Sequence, residues 1–221
     1  MTKATAAAPI QLFDAPSGTY TYILMHPETR DAIIIDPVEE QIDRDLEVLK
    51  SYNLNLRFAV ETHAHADHIT SAAKLVELTG AKTAAPADCG ITTANIQLKH
   101  GDTLACGTET LKALHTPGHT GGSMCFVWGD HVFTGDTLLI RGTGRTDFQN
   151  GSAREKRARS AGGIIGLWVA MSTNLLWCLR CYSANARTVI VVTLRYCCDR
   201  SNALRITVGR SEGRNWSRGM N

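Results

Sequence analysis

Residues 63–68 read His63-Ala64-His65-Ala66-Asp67-His68, four metal-competent side chains within six positions. They follow Leu56 to Thr62, a stretch whose β-branched and apolar residues read as a strand, so the cluster sits on the loop leaving a strand end. The small Ala64 and Ala66 let that loop turn tightly, and alternate side chains then converge. Burying so many polar groups is costly unless each donor and acceptor is matched. A divalent cation matches several at once. A single His is more often a satisfied core residue than a ligand, but four such groups in six positions point to a metal.

Two further strand ends offer ligands. His115-Thr116-Pro117-Gly118-His119 closes a strand with a Pro-Gly turn, which projects His119 from a loop. Thr134-Gly135-Asp136 follows the strand Val132-Phe133 and sets Asp136 at a similar edge. Around these ends the pattern is of short strands broken by helices. Thr19–Met25 and Asp31–Ile35 read as strands joined by a turn at His26–Thr29. Gln41–Tyr52 places Ile42, Leu46 and Leu49 at helical spacing. Thr70–Thr79 reads as a short helix stopped by Gly80, and strands follow near 82–85, 103–104, 111–115, 124–128 and 131–134. The expected fold class is α/β in layers, with no requirement for a doubly wound parallel sheet.

The motif Thr62-His63-Ala64-His65-Ala66-Asp67-His68 matches T-H-x-H-x-D-H, and with it the chain resembles the metallo-β-lactamase fold superfamily. His119 in TPGHT and Asp136 in TGD match that superfamily's next two ligand motifs. The stretch from Phe133 through TGDTLLIRGTGRTDFQ to Asn150 resembles one branch, the glutathione-dependent persulfide dioxygenases, or sulfur dioxygenases. The resemblance runs from about Tyr20 to Gly151, roughly 60% of the chain. It implies an αβ/βα sandwich with the metal at one edge of two sheets, incomplete at its C-terminal side because residues 151–221 do not match.

The branch pattern implies one non-haem Fe(II) held by His63, His119 and Asp136, with zinc as a substitute. Two imidazoles and a carboxylate on one face are the arrangement associated with ferrous iron and O₂. His65, Asp67 and His68 would then hold the ligands in orientation, and Asp36 either joins them or serves a turn. Arg141 and Arg145 are candidates to hold glutathione carboxylates, since guanidinium forks match them. The implied activity is oxidation of glutathione persulfide by O₂ to sulfite and glutathione, a step of hydrogen sulfide removal. Two alternatives stand. Hydrolases of the superfamily such as glyoxalase II use two metals, His63, His65 and His119 on one, Asp67, His68 and a later His on the other, with Asp136 bridging. They cleave hydroxyacylglutathione thioesters. No His follows His131 here, so the second site lacks a ligand. The other alternative is a metal-binding but inactive product with a defective C-terminal part.

Composition divides the 221 residues. Residues 1–150 carry 11 Lys and Arg against 18 Asp and Glu, a net of −7, and the remainder carries 12 against 3, a net of +9. All eight His, six Pro and five Phe lie in the first part, while Trp168, Trp177 and Trp216 lie in the second. We therefore expect a metal-binding domain over 1–150 and a basic, atypical tail over 151–221. That tail is either a segment for an anionic partner or sequence foreign to the domain, such as a shifted reading frame, and poorly ordered. The second fits better, because the tail lacks aromatic-basic interleaving and any nucleic-acid signature. Its Cys178, Cys181, Cys197 and Cys198 fit a zinc site poorly, since adjacent ligands break the usual paired spacing. Isolated Cys89, Cys106 and Cys125 suit a reducing compartment. No apolar run approaches the roughly 18 residues that span a bilayer, and Met1–Pro16 carries neither a secretory h-region nor transit-peptide arginines. These features predict a cytoplasmic protein with no nucleic-acid or membrane partner, and nothing opposes a homodimer.

Overall fold

Alternation along the strands decides the layering. In β2 (Thr19–Met25), Tyr20, Tyr22 and Leu24 face one way and Ile23 the other; in β3 (Asp31–Ile35), Ile33 and Ile35 oppose Ala32 and Ile34. The period of two gives each strand two apolar faces, so both must be covered. The computed structural model describes residues 7–129, 131–139, 143–147, 149–159, 191–195 and 205–207. Its first sheet runs in the order β1 (Ile10–Asp14), β2, β3, β4 (Asn55–Val60), β5 (Lys82–Pro86) and β6 (Ile96–Leu98). The pairs up to β3 are antiparallel and those from β3 to β6 parallel.

The second sheet is antiparallel throughout. It comprises β7 (Thr103–Cys106), β8 (Glu109–His115), β9 (Met124–Trp128), β10 (His131–Phe133), β11 (Val191–Arg195) and β12 (Arg205–Thr207), in that spatial order. The two sheets share one core, in which Tyr22, Ile33, Ile35 and Val60 meet Leu111, Phe126, Trp128 and Phe133. On the other face of the first sheet, Ile23, Ala32, Ile34 and Ala59 pack with Leu49 of α1 (Ile42–Ser51) and with Ala72 and Leu75 of α2 (Ala72–Thr79). The result is the mixed α/β sandwich expected from the sequence.

Local chemistry explains the boundaries. Helix α2 ends at Gly80, left-handed at φ +74°, whose N–H bonds the Val76 carbonyl at 2.8 Å. Thr70, expected inside that helix, instead bridges Val38 and bonds the Glu61 carboxylate, so the helix starts two residues later. β1, the three-residue β6 and α3 (Ala153–Arg159) are not among the elements expected from the sequence. Within the tail the sequence reads as a strand over Thr188–Leu194 and a helix over Ile164–Leu176; residues 191–194 lie in β11. The expected helix over Ile164–Leu176, the four tail cysteines and Trp168, Trp177 and Trp216 lie outside the described residues. No helix among the described residues is long and apolar enough to cross a membrane.

Candidate metal centre

Four strand ends meet at one edge of the sandwich. Asp36 follows β3, His63 follows β4, His119 follows β8 and Asp136 lies in a 3-10 turn after β10. A hydrogen bond from the Met124 N–H to the Thr62 carbonyl, at 2.9 Å, joins the two sheets there. The ligand atoms of His63, His119 and Asp136 all lie within 4.8 Å of one another. His119 Nε2 is 3.4 Å from Asp136 Oδ2, and the His63 and His119 rings meet edge to face at 4.8 Å.

Hydrogen bonds fix which nitrogen each imidazole offers. The Thr62 hydroxyl has one proton, which it donates to Asp36 Oδ2 at 2.9 Å. It must therefore accept from His63 Nδ1, 2.8 Å away, and this leaves the Nε2 lone pair of His63 available. His119 Nδ1 donates to the Arg145 carbonyl at 2.7 Å, with the same consequence. Burial, then the neighbouring His65 and His119, hold His63 well below the usual histidine range, as a neutral ligand requires. The donor set and its tautomers fit a divalent metal with nitrogen and oxygen bonds of about 2.0–2.2 Å.

Asp36 organises this edge. Its φ of +50°, rare for a residue with a side chain, turns the chain so that the carboxylate reaches three donors. Oδ1 accepts from the Thr62 N–H at 2.7 Å and from His65 Nε2 at 3.1 Å, while Oδ2 takes the Thr62 hydroxyl. His65 also lies 3.4 Å from Glu61 Oε2. Burial works against charge on His65, and the two carboxylates outweigh it, so its pKa stands well above the usual range. His68 Nδ1 lies between Asp67 Oδ1 at 3.1 Å and Thr19 Oγ1 at 3.2 Å, and its buried Nε2 has no hydrogen-bond partner. His65, Asp67 and His68 thus form a second group beside the first, also within 4.8 Å.

The structure brings His63, His119 and Asp136 together and sets His65, Asp67 and His68 alongside. Arg145 lines the same cavity of about 430 Å³, together with Thr19, Tyr20, Leu139 and Gln149. Its guanidinium pairs with Asp147 at 2.9 and 3.1 Å. Arg141 lies outside the described residues. Sequence reasoning missed Thr62, Glu61 and Lys156. The Lys156 ammonium, buried so that its pKa falls to about 8, donates to the carbonyls of Asp136 and Gly144 at 2.9 and 2.6 Å.

The model of the metallo-beta-lactamase superfamily matches residues 16–88 and 93–171, and this chain belongs to that superfamily. Among its relatives, the mitochondrial persulfide dioxygenase ETHE1 of Homo sapiens is 43% identical over 154 residues, which cover 67% of this chain and 61% of that protein. The crystal structure of ETHE1 from Myxococcus xanthus matches with a TM-score of 0.71 at 45% identity, covering 73% of this chain and 71% of that one. The probable polyketide biosynthesis zinc-dependent hydrolase BaeB of Bacillus velezensis is 31% identical over 149 residues, 62% of this chain and 63% of that protein. The chain therefore spans about three-fifths of the length of the human relative.

Proposed function

We propose that this protein is an enzyme, a persulfide dioxygenase that oxidises glutathione persulfide with O₂, using one ferrous ion held by His63, His119 and Asp136. The observation that carries this is the pair of imidazole Nε2 atoms and one carboxylate converging on one cavity, in a chain similar to persulfide dioxygenases of that name. The overall change is GSSH + O₂ + H₂O → GSH + SO₃²⁻ + 2 H⁺, in which the outer sulfur gives four electrons to dioxygen. A ferrous ion in the triad supplies the one-electron chemistry that lets O₂ react with a closed-shell persulfide.

The chain's own groups set the conditions for that chemistry. Held by His63, His119 and Asp136, which all line the cavity, such an ion would be open to reactants from that cavity. The Asp36–Thr62 relay and the Arg145 carbonyl hold both imidazoles in the metal-binding tautomer. Arg145 at the cavity wall, and Arg141 by its place in the sequence, offer guanidinium groups to the glutathione carboxylates. The Asp36 and Glu61 carboxylates face His65, and Asp67 faces His68.

The test is an oxygen-electrode assay of the Fe(II)-loaded protein with glutathione persulfide. Uptake of one O₂ for each sulfite formed is expected. Full iron loading without persulfide-dependent uptake would overturn the proposal, and release of glutathione from S-lactoylglutathione without O₂ would establish the thioester hydrolase instead.

A further inference from the structure

Helix α3 begins where the composition of the chain changes, yet it makes close contacts with the loops that carry two of the three proposed ligands. The Ser152 N–H bonds the Gly118 carbonyl at 2.9 Å, one residue before His119. Gly118 sits at φ +145°, and a Cβ there would come within 2.4–2.7 Å of Lys156 atoms, so the turn and the helix are in direct backbone contact. From the same helix Lys156, only 4% exposed, sends its ammonium to the carbonyls of Asp136 and Gly144. Gly144 in turn donates its N–H to the Asp136 carbonyl at 2.9 Å and lies against the His119 ring, and the next carbonyl, that of Arg145, accepts from His119 Nδ1.

We propose that Lys156 is a positioning residue of the metal centre: one ammonium ties the main chain of the carboxylate ligand to the segment that orients an imidazole ligand. An ammonium buried this deeply needs its hydrogen bonds matched, and the two carbonyls accept two of its three N–H groups. Lys156 is not among the residues that line the cavity. The inference rests on the proposed triad, and it places a functional residue within the tail that begins at 151.

The test uses the full-length protein and Co(II), measured by chelator competition and by the visible absorption of the bound ion. Lys156→Met should weaken Co(II) binding about 10–100-fold, the range for groups that orient ligands, and should shift the visible bands, since the ligand geometry changes. Arg154→Gln, an exposed change on the same helix, should bind Co(II) as the wild type does. A general loss of helix packing would lower the melting temperature while leaving affinity and bands alike in the folded fraction, and that result overturns the inference. If Lys156→Met does not fold, Lys156→Gln, which keeps an N–H donor on a shorter stem, is read in the same way, with partial retention of affinity expected and full retention refuting. Failure of the wild type to bind Co(II) would sink the triad itself, whereas equal binding by wild type and variant sinks only the role of Lys156.

Discussion

Replacing Thr62 by Val keeps the shape of a fully buried side chain and removes one oxygen. Two hydrogen bonds disappear with it, the donation to Asp36 Oδ2 at 2.9 Å and the acceptance from His63 Nδ1 at 2.8 Å. A bond to a carboxylate contributes about 1.5–3 kcal/mol and a neutral one about 1 kcal/mol, so the loss is about 3 kcal/mol. For a domain of this size each kcal/mol moves the melting temperature by roughly 2–4 °C, and the metal-free protein should melt roughly 6–12 °C lower. The effect on metal is separate. Without an acceptor at Nδ1 the imidazole proton is no longer held there, and the Nε2 lone pair is lost whenever the proton moves. Metal affinity should fall about 10–100-fold, while Thr62→Ser, which keeps the hydroxyl, retains most of it. Thermal scans of the metal-free protein and Co(II) competition against a chelator measure the two effects. A Thr62→Val protein that melts lower yet binds Co(II) as tightly as the wild type would refute the tautomer argument.

Asp136→Ala should abolish metal retention, whereas His68→Ala and His65→Gln should weaken it about 10–100-fold; comparable loss in all three, by elemental analysis after gel filtration, would count against a three-residue centre. Gly144→Ala should disable the site, because a Cβ there would come within 2.7 Å of both the Asp136 carbonyl and His119 Nδ1. Its metal content should drop while circular dichroism stays the same, and wild-type loading would be the contrary result. Asp45 is fully buried, and burial outweighs its Arg44 partner, raising its pKa from 3.8 to about 6. The folded state thus holds this proton more tightly than the unfolded one. Its stability should fall as pH rises from about 4 to about 6, by about 3 kcal/mol for a shift of that size, and stay level above. Asp45→Asn should lack that fall, and parallel stability curves for the two proteins between those pH values would contradict the reasoning.

The ligands were legible because each sits in a local motif at a strand end, where the chain pattern changes from alternation to a polar turn. His63, His119 and Asp136 could be named from such stretches and from the family resemblance together. Their supports could not. Thr62 and Glu61 gain their roles only when β4 lies parallel to β3 and β5, which brings Asp36 across to the Thr62 hydroxyl. The contribution of Arg145 to His119 is a main-chain carbonyl, which carries no side-chain signature. Lys156 lies beyond the change in composition at Asn150, and no spacing ties it to a ligand 20 positions earlier. Asp36 stood open between a turn and an orienting role, and its positive φ makes it both.

The position of His65 bears on how many ions this edge can hold. Its Nε2 lies 3.1 Å from Asp36 Oδ1 and 3.4 Å from Glu61 Oε2, and its Nδ1 lies 3.8 Å from Asp67 Oδ1. Both nitrogens therefore face carboxylates, which raise the His65 pKa against the opposing effect of burial. A protonated imidazole has no lone pair to give. The two-ion arrangement of the hydrolases asks His65 to ligate beside His63, so one of its nitrogens must be unprotonated; if that is Nδ1, the Nε2–H bond to Asp36 is kept. Ligation through Nε2 would instead strip Asp36 of one of its three donors. The three-residue set asks for none of this. His63 and His119 already offer Nε2, and His65 stays hydrogen-bonded to Asp36.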